Sequence, residues 1–193
     1  MKQENIVTPQ GVLVYPHLNK ADTKFDKNGV FKSGLRLEKD SSENLIKQID
    51  EAIELNAANE TEKRKKSVKV APPPYSEDEE GNIVFNFKLK ASGVRANGVQ
   101  WSQKPVLYDS KGNVFDPKDK IVWGGTTAKI AFQIAPYHVG SIGAGVSLRL
   151  KAVQILNLVT GGNDSTSFGF KEESGFVAET EEVSEEEKAT SDF

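Results

Sequence analysis

Cysteine is absent from the 193 residues, and histidine occurs only at His17 and His138. The first absence excludes disulfides, thiolate nucleophiles and Cys-ligated zinc. The second excludes a three-histidine metal site. Long apolar runs are also missing: none nears the roughly 20 residues that a membrane helix needs. The polar start Met1–Asn5 is followed by no apolar stretch of the signal-peptide kind, so an intracellular protein with no membrane partner is expected. Nucleotide and metalloprotease signatures are lacking as well, with no G-x-x-x-x-G-K-[ST], G-x-G-x-x-G or H-E-x-x-H. Asp109-Ser-Lys-Gly-Asn113 has part of a calcium-loop spacing, but Lys111 stands at the third ligand position and no closing Glu follows. It reads better as a β-turn with Asp and Gly in turn positions. These absences argue against an enzyme and against a metal or cofactor.

What is present is an uneven distribution of charge. The net charge is −3, yet Lys171–Phe193 holds nine acids and two bases, a balance of −7. The other 170 residues hold 23 bases and 19 acids, a balance of +4. A basic body joined to an acidic tail suggests a polyanion-binding surface with an interaction segment attached.

The body reads as a series of strands around one helix. Gly11–Tyr15 is a strand closed by Pro16, Asn28-Gly29 is a turn, and Val30–Leu37 is a second strand. Ser41 or Ser42 can cap a helix whose apolar stripe is Leu45, Ile46, Ile49, Ala52 and Ile53. That stripe fades beyond Asn56 into a basic stretch, Lys63-Arg-Lys-Lys66 with Lys69, and Pro72-Pro-Pro74 ends any helix. Ile83–Lys90 alternates with period two: Ile83, Phe85, Phe87 and Leu89 point inward, Asn86, Lys88 and Lys90 outward. Thr126–Ala135 is a further strand stopped by Pro136, and Val146–Leu158 is a long one with Val146, Leu148, Leu150 and Ala152 inward. Gly161-Gly162 closes the body. The Ser-, Thr- and Glu-rich remainder is expected to be a disordered acidic tail, giving a folded domain over 1–162 and a tail over 163–193. Several strands, one helix and no βαβ alternation imply an all-β-dominated antiparallel barrel, with the five-stranded OB type the natural candidate among barrels.

Such a body has the parts for single-stranded nucleic acid, which needs cations for phosphates and flat rings for bases. Lys88, Lys90, Lys129, Arg149 and Lys151 lie on polar strand faces, and Arg64 lies in the basic stretch. Tyr15, Phe31, Trp101, Tyr108, Trp123 and Tyr137 are interleaved with them. Lysines on exposed strands are most often only solvated, and Trp123, after Ile121-Val122, reads as packed. Tyr137, held by Pro136 beside His138 and a glycine-rich loop, is the best stacking candidate. In the tail, Glu185, Glu186, Glu187 and Asp192 imitate a phosphate backbone, and Phe193 with its carboxylate is an end-capture motif for partners; the plainer alternative is a solubilising tail.

Taken together, Phe85-Asn-Phe-Lys-Leu-Lys-Ala-Ser92, Tyr108-Asp-Ser-Lys-Gly112, Gly124-Gly-Thr-Thr-Ala-Lys-Ile130, Ala135-Pro-Tyr137, Gly143-Ala-Gly-Val-Ser-Leu-Arg-Leu-Lys-Ala-Val153 and Ser191-Asp-Phe193 resemble the single-stranded DNA-binding proteins of podoviruses, the short-tailed phages. Gly29-Val-Phe-Lys32 and the helix extend the match toward the N-terminus. The resemblance implies an OB-fold body with one inserted helix, a homodimer, and a role in phage replication and recombination within the host cytoplasm. It implies coating and annealing of single strands, and contact with the phage DNA polymerase and helicase–primase through the tail. Tyr137 falls on the family's stacking tyrosine, Lys88 on a DNA-contacting lysine, and Arg64 in a similar basic stretch. Val139 replaces the family's second stacking aromatic and Asn28 an arginine, leaving His138 or Trp101 to compensate. Three rivals stay open: an interaction scaffold whose tail is the functional part, a metal-dependent nuclease, and a double-strand binder.

Overall fold

The computed structural model describes residues 4–116 and 121–159. Ten strands and one helix follow in the order β1 (Ile6–Val7), β2 (Gly11–Asp22), β3 (Val30–Leu37), α1 (Lys39–Arg64), β4 (Tyr75–Glu77), β5 (Ile83–Lys90), β6 (Ser92–Val94), β7 (Gln100–Ser102), β8 (Val106–Tyr108), β9 (Thr127–Val139) and β10 (Gly143–Asn157). Five of them close on themselves. β2 pairs with β3, β3 with β5, β5 with β10, β10 with β9, and β9 returns to β2. All of these pairings are antiparallel except β5–β10, which is parallel. This is the expected five-stranded OB barrel with one inserted helix. β1, β4 and β8 extend it at the edges, and β6 and β7 form a separate hairpin.

Period-two alternation builds the interior. Phe85, Phe87 and Leu89 of β5, Leu35 of β3, Ile130 and Phe132 of β9, and Leu148 and Leu150 of β10 are all buried. Phe87 and Phe132 meet edge to face with ring centroids 5.1 Å apart, a favoured aromatic geometry. Leu45, Ile49 and Ile53 of α1 join the same core at four-residue spacing. Among the described residues, no helix is long and apolar enough to cross a membrane.

Both prolines expected to stop strands lie inside them instead. β2 continues past Pro16 because its register with β3 slips between Val14 and His17, and a bulge leaves an unpaired position where no N–H is needed. β9 continues past Pro136, which pairs with Val146. The other edge of β9 is laddered to β1 only as far as Phe132, so a missing N–H beyond that point need break no second ladder. A bulge between Leu150 and Ala152 shifts the phase of β10, and Val153 and Ile155, not Ala152, take the inward positions. Trp123, expected to pack, is 47% exposed because the preceding Val122 takes the buried position. Neither Ser41 nor Ser42 caps α1. The helix starts one turn earlier after Glu38, and the Ser42 hydroxyl donates to the Lys39 carbonyl at 2.6 Å.

Gly143, at φ +115°, shapes the far end of the barrel. A Cβ there would lie 2.2 Å from the Lys69 carbonyl oxygen, so only glycine lets Lys69–Ala71 run alongside the start of β10. That segment is fixed by Ala71 N–H donating to the Ala144 carbonyl and Ala144 N–H to that of Lys69, both at 2.8 Å. The same segment delivers Pro72 and Pro74 to the barrel's outer surface.

Phe132→Ala removes a fully buried ring and its contact with Phe87. The expected loss is about 3–5 kcal/mol of unfolding free energy, to be measured by urea denaturation.

Candidate nucleic-acid interface

The outward positions of the closed barrel carry the charge. Lys32 of β3 pairs with Lys88 of β5, and Lys88 pairs with Arg149 of β10. Arg149 in turn faces Gln133 of β9, and Lys32 faces His17 of β2. Three cations therefore stand abreast on three adjacent strands, at the roughly 4.8 Å spacing of a sheet. Like charges directly opposite one another destabilise a sheet. Lys32 is relieved by Asp22, whose carboxylate accepts from its ammonium at 2.6 Å. The same hydrogen bond holds the Asp22 carboxyl below the ordinary carboxylate range. Among the described residues, no carboxylate lies within ion-pairing distance of Lys88, Lys90 or Arg149.

Two grooves meet at this row. One, of about 760 Å³, is lined by Lys88, Lys90, Arg95, Trp101 and Arg149. The other, of about 570 Å³, is lined by Tyr15, Lys32, Asn86, Lys88, Pro72 and Tyr137. They share Lys88 and Ser147, so aromatic rings flank a cationic middle along one surface.

Each aromatic is set in place by its neighbours. Trp101 sits on the β6–β7 hairpin opposite Gly93, where a Cβ would approach its indole ring to 2.8 Å. The ring lies against bare backbone on that side. Tyr137 is half-buried and pairs with Gly145 across the β9–β10 ladder. A Cβ on Gly145 would come within 2.9 Å of the Tyr137 hydroxyl oxygen. From the other side, the Asn56 side-chain amide on α1 donates to the Tyr137 carbonyl at 2.8 Å and to the Gly145 carbonyl at 2.9 Å. The inserted helix thus clamps the strand end that carries the tyrosine.

Of the residues expected from sequence, Lys88, Lys90, Arg149, Trp101 and Tyr137 come together on these grooves. Lys129, opposite Gln154 and past the β10 bulge, lines neither. Arg64 also lines neither; it lies in the last turn of α1, donating to Glu60 at 2.8 Å. Glu185, Glu186, Glu187, Asp192 and Phe193 fall outside the described residues. Sequence reasoning assigns no site role to Lys32 or Arg95 and names Tyr15 only among the interleaved aromatics. The signal for Lys32 was present, since Phe31 inward puts Lys32 outward. For Arg95 it was not, because a hairpin folding back over the sheet leaves no periodic trace. The Asp109 carboxylate accepts from the Lys111 and Asn113 N–H groups, each at 2.9 Å, which is the β-turn expected there.

Asn56→Leu keeps the helix and removes both donations to the β9–β10 ladder. The expected cost is about 1–3 kcal/mol by urea denaturation, with altered Tyr137 ring resonances in the NMR spectrum.

Comparison with known proteins gives the family and the fold. Residues 7–158 match the family model described as single-stranded DNA-binding protein, bacteriophage T7. Among solved structures, the chain is similar to gp2.5, a single-stranded DNA-binding protein encoded by bacteriophage T7. The TM-score is 0.74 at 24% identity, over 92% of this chain and 100% of that one. It is also similar to the single-stranded DNA-binding protein from bacteriophage Enc34 in complex with ssDNA, with a TM-score of 0.58 at 19% identity over 82% and 89% of the two chains. No curated protein matches. With four-fifths of its length covered by that family model, the chain belongs to the bacteriophage T7-type single-stranded DNA-binding protein family, a non-enzymatic class.

Proposed function

We propose that this protein binds single-stranded DNA without regard to sequence during phage DNA replication, in the cytoplasm of the infected host. The observation that carries the reading is the row of Lys32, Lys88 and Arg149 between grooves walled by Trp101 and by Tyr137. Cations abreast on adjacent strands suit a phosphate chain crossing the sheet, and rings on either side suit unpaired bases, which stack on any flat face. Lys88, Lys90 and Arg149 neutralise phosphates, and Tyr137 and Trp101 stack. Lys129 and Arg64 add to the positive field without lining the path. The Enc34 protein's solution in complex with ssDNA is further support.

Coating and annealing of strands, a homodimeric assembly, and recruitment of the phage DNA polymerase and helicase–primase complete the proposal. The acidic segment 163–193 is the recruiting part, with Phe193 as its apolar anchor. Its −8 balance, ten acids against two bases, set against the +5 of residues 1–162 also makes it a competitor for the groove.

Fluorescence anisotropy of labelled oligo-dT tests the interface. Lys88→Ala and Arg149→Ala should each weaken binding, and each should lower the slope of log K against log salt by about 0.7, one phosphate contact on a single strand. Unchanged slopes in both variants would remove the row from the interface.

A truncation after residue 162 should bind oligo-dT more tightly than the full chain at low salt. A scaffold whose acidic part alone is functional predicts no binding by either form. Competition with duplex DNA distinguishes a double-strand binder.

A further inference from the structure

Tyr15 occupies a position that neither the core nor the sheet requires. Along β2, Leu13 points inward and Val14 outward, so strict alternation would bury Tyr15. Instead the backbone at Tyr15 takes φ +46°, a left-handed conformation that is costly for a side-chain-bearing residue. It is costlier still directly before Pro16, since a residue preceding proline is held to extended conformations. The register with β3 slips at the same point, Val14 opposite Gly34 and His17 opposite Lys32, so Tyr15 and Pro16 together face Ser33 alone. The bulge turns the ring out of the barrel and leaves Tyr15 85% exposed. Among the described residues its hydroxyl has no hydrogen-bond partner.

Both Tyr15 and Tyr137 line the 570 Å³ groove, with Lys32, Asn86 and Lys88 between them. Tyr15 comes from β2 and Tyr137 from β9, neighbouring strands of the closed barrel whose pairing is confined to Gly11 and Val12 of β2, before Tyr15 is reached. Gly34, opposite Val14 on one side and Asn86 on the other, gives the floor beside Tyr15 no side chain. A strained, solvent-facing ring above a cationic floor has little to do in the free protein.

We infer that Tyr15 is a further base-stacking platform beside Tyr137 and Trp101, held outward by the bulge at Pro16 and lining the same groove as Tyr137. This rests on the single-strand reading above, and the test separates the two. In the full-length protein, Tyr15→Ala should weaken oligo-dT binding on the order of tenfold, within the range of one stacked base. The slope of log K against log salt should stay unchanged, because no phosphate contact is lost. Tyr15→Phe keeps a flat ring and should recover most of the affinity lost in Tyr15→Ala. Tyr15→Gly should bind as weakly as Tyr15→Ala and melt at a higher temperature than wild type, since glycine adopts the left-handed conformation without strain.

If wild type binds, the salt slope of Lys88→Ala falls, and Tyr15→Ala binds like wild type, the stacking role is overturned and the interface stands. A salt slope that falls in Tyr15→Ala, or a Tyr15→Phe as weak as Tyr15→Ala, also overturns stacking. If wild type does not bind oligo-dT at low salt, both readings fall together.

Discussion

The parallel pairing of β5 with β10 closes the barrel, and it sets Lys88 directly beside Arg149. A sheet built only of hairpins would bring these residues together by local sequence. Here they are 61 positions apart in the chain, and only barrel closure makes them neighbours. The inward partners of the same register, Phe87 and Leu148, are fully buried. The hydrophobic interior therefore fixes the charged exterior: a one-residue slip that broke up the charge row would also turn Phe87 and Leu148 to solvent. Burying such side chains is worth about 1.5–3 kcal/mol each. Repulsion between exposed cations is far weaker, and salt screens it within about 10 Å. The core wins, and among the described residues Lys88 and Arg149 stand in the row without a carboxylate partner.

Around that row the remaining elements act as supports. α1 contributes Leu45, Ile49 and Ile53 to the core and Asn56 to the ladder behind Tyr137. Gly143 admits the Lys69–Ala71 segment that carries Pro72 and Pro74 to the groove wall. The β6–β7 hairpin holds Trp101 over Gly93 at the opposite end. Two kinds of groove wall follow from this. One is clamped from behind by helix and ladder. The other rides on a two-stranded hairpin, a unit marginally stable by itself, tied to the barrel by the Ser92 hydroxyl donating to the Asn28 carbonyl at 2.7 Å.

Period-two alternation made β5 legible residue by residue, and with it Lys88 and Lys90 on the outer face. Arg149 was legible for the same reason up to the bulge at Leu150, beyond which the phase slips and Ala152 was misassigned. Pro16 and Pro136 were read as strand ends because proline lacks an N–H, a rule that fails at bulges and along a free strand edge. Those two errors matter most where function is concerned, since each proline adjoins a groove tyrosine. Tyr15 has no periodic signature at all; its exposure comes from a backbone torsion that pattern reading does not reach. Arg64 follows from the basic stretch Lys63–Lys66 and its likeness to the family's, and on the helix Glu60 lies one turn back and within reach of it. The tyrosine and lysine matched through family resemblance line the same groove, which neither composition nor spacing could have established.

Charge balance gives the proposed competition between the acidic segment and DNA its physical form. In that proposal, a segment tethered to the same chain would meet the groove at an effective concentration in about the millimolar range, so even weak affinity would occupy it appreciably. The tethered polyanion and a DNA strand would meet the same unpaired cations, Lys88, Lys90 and Arg149. Added salt then loosens competitor and ligand together. On this proposal the acidic segment would lower affinity most at low ionic strength, where the cations attract it most strongly, and its effect would fade as screening grows. A protein built this way discriminates by what rings can do and glutamates cannot: carboxylates satisfy the cationic row, but only bases stack on the aromatic walls. In the proposed competition the aromatic residues, not the lysines, would therefore favour DNA over the acidic segment.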